Sequence, residues 1–504
     1  MASNVGTWMQ NVGAAWLMTS LAPTALQVAL VQTATNLPVF LLGVPAGAVA
    51  DLFDRRKLLL VSQGWMLGAA AVLGVLTLAH ETGPWMLLLL TFALGLGATM
   101  NGPAWQAIMP ELVPRSDLPA AIALNSVGFN LARAVGPALG GLVVGIVSPG
   151  AAFLLNAVSF VGVMIVLYLW PREPERPPAN PESVSSAIWA GFRYVRFAPE
   201  MHAVLIRSGV FIISASALWS ILPLVAKVEL HSESSGYGVL LGCLGVGSIL
   251  GALLLTRLRQ VLSSEILVTG SIALFGLVNI ALAYLTSFWI VALALLLAGM
   301  AWMAVNSTLN TVAQTTLPAW VRARALGVYL LVFQGAMALG SVIWGEVANH
   351  LGLRSTLLMA GIALIIGAGL TLRLAFASAA EVDTTPSQHF PEPQYSVPPE
   401  PQHGPVLVTV EYWIRPEDHI AFTETMTAVE RIRRRDGALQ WGLFQDAAAP
   451  GRMLESFLVE SWAEHLRQHE RFTVTDQTFE DRAQAYHLGP GRPQVTHWIA
   501  SQAP

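Results

Sequence analysis

Charge is scarce in the first three quarters of this 504-residue chain. Charged residues make up 12% of the whole and mean hydropathy is +0.58. Up to Phe376 there are 17 lysines and arginines, nearly all in short connections between apolar blocks. Cysteine is almost missing too. Cys243 stands alone inside an apolar block, which excludes a disulfide framework and a cysteine-based metal site. A GxxxxGK[ST] phosphate loop is absent, which argues against ATP-driven work by this chain alone. The amino terminus lacks the basic segment of a signal peptide and leads into a further apolar block. Neither a resident cofactor nor a nucleic-acid partner is expected.

What the chain does have is apolar length. The blocks run roughly 20 to 30 residues, enough at about 1.5 Å per residue to cross a hydrocarbon layer about 30 Å thick. Twelve candidate spans are expected at 2–21, 27–50, 57–79, 84–106, 118–146, 150–170, 203–226, 235–256, 264–286, 288–312, 322–348 and 353–376. A polytopic all-α membrane protein follows, because no soluble core could bury so many such blocks. The first span is unusual in carrying Ser3, Asn4, Thr7, Gln10 and Asn11. It is either partly water-lined or the remainder of a longer helix.

Basic residues set the direction. Arg55, Arg56 and Lys57, then Arg115, Arg172, Arg176, Arg193, Arg196, Arg207, Arg257, Arg259, Arg322, Arg324 and Arg373 fall in or beside alternate connections. Lys227 and Arg354 mark the opposite side, and Arg133 lies within a span. Both termini and the 171–202 loop are therefore expected in the cytoplasm.

That loop separates two six-span halves, 1–170 and 203–376, which echo each other. Gly47-x3-Asp51-x3-Arg55 faces Gly251-x3-Leu255-x3-Arg259, Asn101 faces Asn306, Gly136 faces Ser341 and Gly140 faces Gly345. Paired six-helix halves with a site between them are a secondary-transporter arrangement.

Two stretches carry a family resemblance. Gly47-Ala-Val-Ala-Asp51-Leu-Phe-Asp54-Arg55-Arg56-Lys57 resembles the loop signature of the major facilitator superfamily. Ala132-Arg133-Ala-Val-Gly136-Pro137-Ala-Leu-Gly140-Gly141 resembles the antiporter signature of its drug exporters. With Gly6-Thr7-Trp8-Met9-Gln10 and Pro110-Glu-Leu-Val-Pro114-Arg115, residues 1–376 look like the transmembrane secretion effector branch, which includes enterobactin exporters. Leu52 and Asp54 depart from the loop signature, and Leu255 replaces its aspartate in the second half.

The resemblance implies export of a small amphipathic compound by alternating access, with protons as the coupling ion. It gives Gly47, Asp51, Arg55 and Arg56 a gating role. An arginine inside a span is costly, so Arg133 should face a cavity or partner and could hold an anionic substrate. Gly128, Ala132, Gly136 and Gly140 make a flat helix face suited to close packing, beside Pro137 and Gly141. In this fold spans 1, 4, 7 and 10 line the cavity, which makes Asn11, Trp16, Asn101, Trp219, Trp302 and Asn306 its candidate walls. No acid sits at mid-depth; Asp51, Glu111 and Glu346 remain as proton carriers by elimination.

After Phe376 the composition changes. Residues 377–404 read as a proline-rich linker, and 405–504 as a soluble domain. Strands at 406–414, 440–444, 453–460 and 495–499, with helices at 416–435 and 463–486, predict a β-α-β-β-α-β ferredoxin-like fold. It resembles the dimeric α+β barrels that include antibiotic-biosynthesis monooxygenases. His465, His469 and His487 invite a catalytic reading, but no cofactor motif accompanies them. Dimerisation or sensing is the expected role, and a membrane-anchored oxygenase or sensor is the alternative for the whole chain.

Overall fold

A computed structural model describes residues 1–22, 24–114, 116–170, 184–374, 376, 383–387 and 399–501. The apolar blocks become α1 (Ala2–Leu21), α2 (Ala25–Leu52), α3 (Arg55–Leu78), α4 (Pro84–Leu112), α5 (Leu118–Ile146) and α6 (Pro149–Leu169). After α7 (Val184–Phe197) come α8 (Pro199–Leu224), α9 (Ser234–Leu258), α10 (Ser264–Leu282), α11 (Phe288–Thr316) and α12 (Ala319–Thr371). Ten of these helices are long and apolar enough to cross a membrane. The polar α1 falls outside that set. The 53-residue α12 merges the last two expected spans across Gly352, whose φ of +82° is left-handed and breaks the helix there.

Side chains at the connections start several helices. Thr24, Asp54, Ser148 and Ser263 each accept from a backbone N–H in the first turn of the helix that follows. Pro84 and Pro149 occupy first helical positions, where a missing N–H costs nothing.

By its internal contacts the chain divides into two compact units, 1–179 with 205–311 and 329–375, and 180–204 with 312–328 and 376–504. In the first unit the two halves meet along small residues. A Cβ on Gly141 of α5 would stand 2.5 Å from the Ser234 carbonyl oxygen and 2.8 Å from the Gly238 Cα of α9. A Cβ on Gly245 would stand 2.8 Å from the Ala134 Cα. On the other side Gly335 and Gly345 of α12 rest on Phe40 and on Leu26 and Ala29 of α2. Thr33 donates to the Ala338 carbonyl at 3.0 Å. At the end away from the arginines, Lys227 donates to the Thr19 carbonyl at 2.8 Å and to Ser20 at 3.1 Å.

Along α5 these contacts reach Ala134, whereas on α2 they continue to Gly43, where a Cβ would stand 3.8 Å from Leu331 of α12. Toward the arginine end, Ile122, Leu124, Val127 and Phe129 of α5 are exposed. No described residue lies within 4 Å of a Cβ on Gly47.

The second unit is built on a four-stranded antiparallel sheet with strand order β2-β3-β1-β4. The strands are β1 (Val406–Trp413), β2 (Gln440–Gln445), β3 (Arg452–Val459) and β4 (Gln494–Ile499). One face packs on α13 (His419–Asp436) and on α15 (Val474–Gln484) through Val408, Val410, Tyr412, Phe422, Met426, Phe457 and Ala483. The expected helix at 463–486 is instead two, α14 (Trp462–Arg471) and α15. Thr473 and Asp476 form a reciprocal capping box that starts a new helix after Phe472. Of the expected linker, Asp383 to Ser387 lie along this domain, with Val474 and Thr475 donating to the Thr385 and Asp383 carbonyls. The rest of 377–398 apart from Phe376 and these residues lies outside the described residues.

The expected loop at 171–202 contains a helix. In α7, Ala190, Tyr194 and Val195 are buried while Trp189 and Phe192 are exposed. Arg193 donates to Glu464 at 3.0 Å, Arg471 donates to Glu464 at 2.7 Å, and the Arg471 guanidinium stacks 4.4 Å from the Trp320 ring. Burial pushes the Glu464 carboxyl up, but Arg471, Arg467 and Arg193 outweigh it and hold it below its usual range. Arg433 bridges Glu455 at 3.1 Å and Glu480 at 2.8 Å, and Arg435 binds Asp476 at 2.6 Å. Such pairs are strongly unfavourable to break once buried.

His465, His469 and His497 pack ring to ring beside Trp462, with centroids 4.6 and 4.7 Å from His465. Both His465 ring nitrogens are buried without a hydrogen-bond partner. Burial, reinforced by His469 and His497, lowers His465 to about 3, and burial lowers His469 to about 4. Among the described residues no three such side chains are arranged to hold a metal ion. His487 lies elsewhere, accepting from the Trp413 backbone N–H at 3.0 Å.

Two outcomes follow. The folded imidazoles titrate below their unfolded value of about 6.5, so the cluster's stabilisation is complete above that pH and is lost as pH falls toward about 4. In the full-length protein, hydrogen exchange at α14 and β4, corrected for intrinsic rates, should accelerate over that range, and His465→Leu should flatten the acceleration. At the seam, Gly141→Val should force α5 from α9 at an overpacking cost of about 1–3 kcal/mol. In a Cys243→Ser background, linking of Thr33→Cys to Ala338→Cys by a short bifunctional reagent should drop several-fold; an unchanged yield would show that the seam does not depend on Gly141.

Candidate functional site

The site is assembled from what remains polar within the membrane helices. A backbone in hydrocarbon satisfies its own hydrogen bonds in a helix, so a buried side chain without a partner is unsatisfied unless something else meets it. Arg133 lies midway along α5, where the seam ends. Its Nε is buried without a hydrogen-bond partner, and among the described residues no carboxylate lies within ion-pair distance. The backbone there is fixed on both sides. Gly136 and Gly140 pack on Trp8 and Met9 of α1, while Ala134 packs on Gly245 and the Pro137 carbonyl on Gly238 of α9. The small-residue stripe therefore serves α1, and the contact between halves uses the neighbouring face with Gly141.

The cavity candidates occupy varied places. Asn101 on α4 accepts from the Gln63 amide of α3 at 2.9 Å, leaving Gln63 Oε1 buried and unpartnered. Asn11 on α1 is half-buried. Its neighbour Gln10 accepts from Asn156 of α6. Trp16 stacks on Tyr237 across the seam at 6.0 Å. Trp302 on α11 is 6% exposed, enclosed by Phe211, Phe275, Phe333 and Trp219 with ring centroids 5.3 to 6.1 Å away. It packs as core rather than as open wall. The Trp219 indole N–H is buried without a partner, and Asn306 donates locally to the Trp302 carbonyl at 2.8 Å.

At the arginine end, Arg55 donates to Glu111 of α4 at 2.7 Å, with Glu111 10% exposed. Arg56 donates to the Leu167 carbonyl at 2.7 Å and to the Tyr168 carbonyl, satisfying the last turn of α6. Asp54 caps α3 by accepting from the Lys57 N–H at 3.0 Å. The second half places Arg259 at the matching position, donating to Ser307 at 3.1 Å. The side chain of Asp51 lies outside the described residues, as do Arg115, Arg172 and Arg176. Glu346 sits at the opposite end, 2.8 Å from His350.

Two pairings escape a reading by residue type. Glu111 is the partner of Arg55 although 56 positions separate them. Arg207, grouped in the sequence with the connection charges, is fully buried in α8 and within electrostatic reach of Glu265 in the first turn of α10. A basic residue at a span end beside an apolar run was the available signal, but depth of burial is set by the neighbouring helices.

Known proteins place this geometry. The chain is 23% identical to the staphyloferrin A transporter of Staphylococcus aureus over 363 residues, 72% of this chain and 90% of that protein. It is 26% identical to the enterobactin exporter EntS of Salmonella typhi over 366 residues, 71% of this chain and 86% of that protein. In fold it is similar to an inward-facing, unoccupied bacterial homologue of the human lysosomal transporter Spinster, with a TM-score of 0.61 and 15% identity over 74% of this chain and 95% of the other. The transmembrane secretion effector family matches residues 1–504, the soluble domain included. With that match from end to end, the chain belongs to the transmembrane secretion effector family of major facilitator superfamily transporters.

Proposed function

We propose that this transporter exports a small amphipathic compound, drug-like or siderophore-like, from a bacterial cytoplasm by alternating access. The observation that carries the reading is Arg133, an arginine at the end of the seam with no carboxylate partner among the described residues. An anionic or strongly hydrogen-bonding group on the substrate would complete it when the compound enters from the arginine end. The Trp219 N–H and Gln63 Oε1, also buried without partners, would orient the polar parts of such a compound. Relatives named for staphyloferrin A, for enterobactin and for multidrug efflux support the export direction and the substrate class.

Proton coupling is part of the proposal. Glu111 is its best-placed acid: it is nearly buried, it is held by Arg55, and it lies at the arginine end. The Arg55–Glu111 pair, with Gly47, Asp51 and Arg56, is assigned to the gate, and the arginine end to the cytoplasm with both termini. The soluble domain, read as ferredoxin-like, is assigned to self-association. Leu407, Trp413, Phe444, Leu454 and Trp498 are exposed on the sheet face away from its helices, which suits a second copy.

The test is ethidium efflux from energised cells, with and without a protonophore, beside Arg133→Ala and Glu111→Gln. Gradient-driven export predicts efflux that stops on uncoupling. It falls at least tenfold in Arg133→Ala, in proportion to the roughly 1.4 kcal/mol or more expected from losing a charged hydrogen bond to substrate. Efflux that survives the protonophore would sink the coupling, and efflux unchanged in Arg133→Ala would remove that residue from the site.

A further inference from the structure

The arginine run ending α13 divides into two pairs with different surroundings. Arg433 and Arg435 are spent on the buried carboxylates of the soluble domain. Arg431 and Arg434 turn instead to a groove of about 490 Å³ whose other wall is the junction of α7 and α8. Arg196, Phe197, Pro199 and His202 form that wall. Glu430 is the acid in the lining, and it is paired with Arg434 at 2.8 Å. Among the described residues neither Arg196 nor Arg431 has a carboxylate within ion-pair distance; Arg196 lies over the Phe197 ring at 5.7 Å. The groove therefore carries uncompensated positive charge.

Its position says which anion it suits. Trp189, Phe192 and Arg196 follow one another at spacings of three and four along α7, with Trp189 71% exposed and Phe192 40% exposed. The opposite side of that helix is buried. An amphipathic helix with aromatic and basic residues outward has the composition of one that lies in a membrane interface. The very next helix, α8, opens the segment Pro199–Glu229, which holds an 18-residue window with a mean hydropathy of 2.0 and is long and apolar enough to cross a membrane. Arg196 and His202 thus stand within about two helical turns of residue 203, where the expected span begins.

We propose that this groove holds the headgroup of an anionic phospholipid. Arg196 and Arg431 bind its phosphate, His202 and Arg434 stand at the rim, and Trp189 and Phe192 lie among its acyl chains. A soluble phosphate compound would offer the same charge to the arginines but nothing to the aromatic face. Lipid is therefore the occupant the two features jointly favour, and the site ties the soluble domain to the membrane surface through α7.

The test uses the purified full-length chain in neutral detergent with added phosphatidylglycerol, read by native mass spectrometry. Wild type should retain one lipid that Arg196→Gln with Arg431→Gln loses, with apparent affinity falling roughly tenfold or more. Arg196→Lys with Arg431→Lys should keep most of that binding, which separates lost charge from lost folding. Trp189→Ser should weaken retention, and excess inorganic phosphate should not displace the lipid. Equal retention in the double glutamine variant overturns the site. Displacement by inorganic phosphate, with Trp189→Ser indifferent, overturns the lipid and leaves a soluble phosphate ligand in its place.

Discussion

The structure depends on the inability of hydrocarbon to hydrogen-bond. Every span must satisfy its own backbone, so each becomes a helix, and helices in lipid can be held together only by close packing and a few internal polar contacts. Glycines are therefore placed where helices cross. At Gly141 and Gly238, and at Gly245 and Ala134, the two halves touch backbone to backbone. The same constraint makes any polar atom left unpaired conspicuous, and Arg133 is conspicuous at the depth where the packing ends.

The two halves share a plan but not its chemistry. Arg55 and Arg259 occupy matching places, yet one meets a carboxylate and the other a hydroxyl. Gly136 packs on α1, and its counterpart Ser341 bonds Ser220 of α8 at 2.9 Å.

The soluble domain obeys different rules. Its arginines are buried against carboxylates, a costly arrangement unless every partner is present. Glu464 gathers Arg193 from α7 and Arg471 from its own helix, and Trp320 lies under the second of these. The part of the chain expected to be a loop is thus a structural member of this unit. Its sequence gave little sign of this: Trp189 to Phe197 is short, and its pattern of buried Ala190, Tyr194 and Val195 acquires meaning only against α13.

Hydropathy was enough to determine the membrane class, because water and lipid act on each segment independently of its neighbours. The four strands of the second unit were legible through alternation and turn residues. What only the tertiary structure decided was which residues meet. Glu111 with Arg55, Arg207 near Glu265, and Trp302 enclosed by aromatics all depend on chain segments far apart. Distance in sequence carries no record of those contacts; they are set when helices pack and the remaining polar groups must find one another.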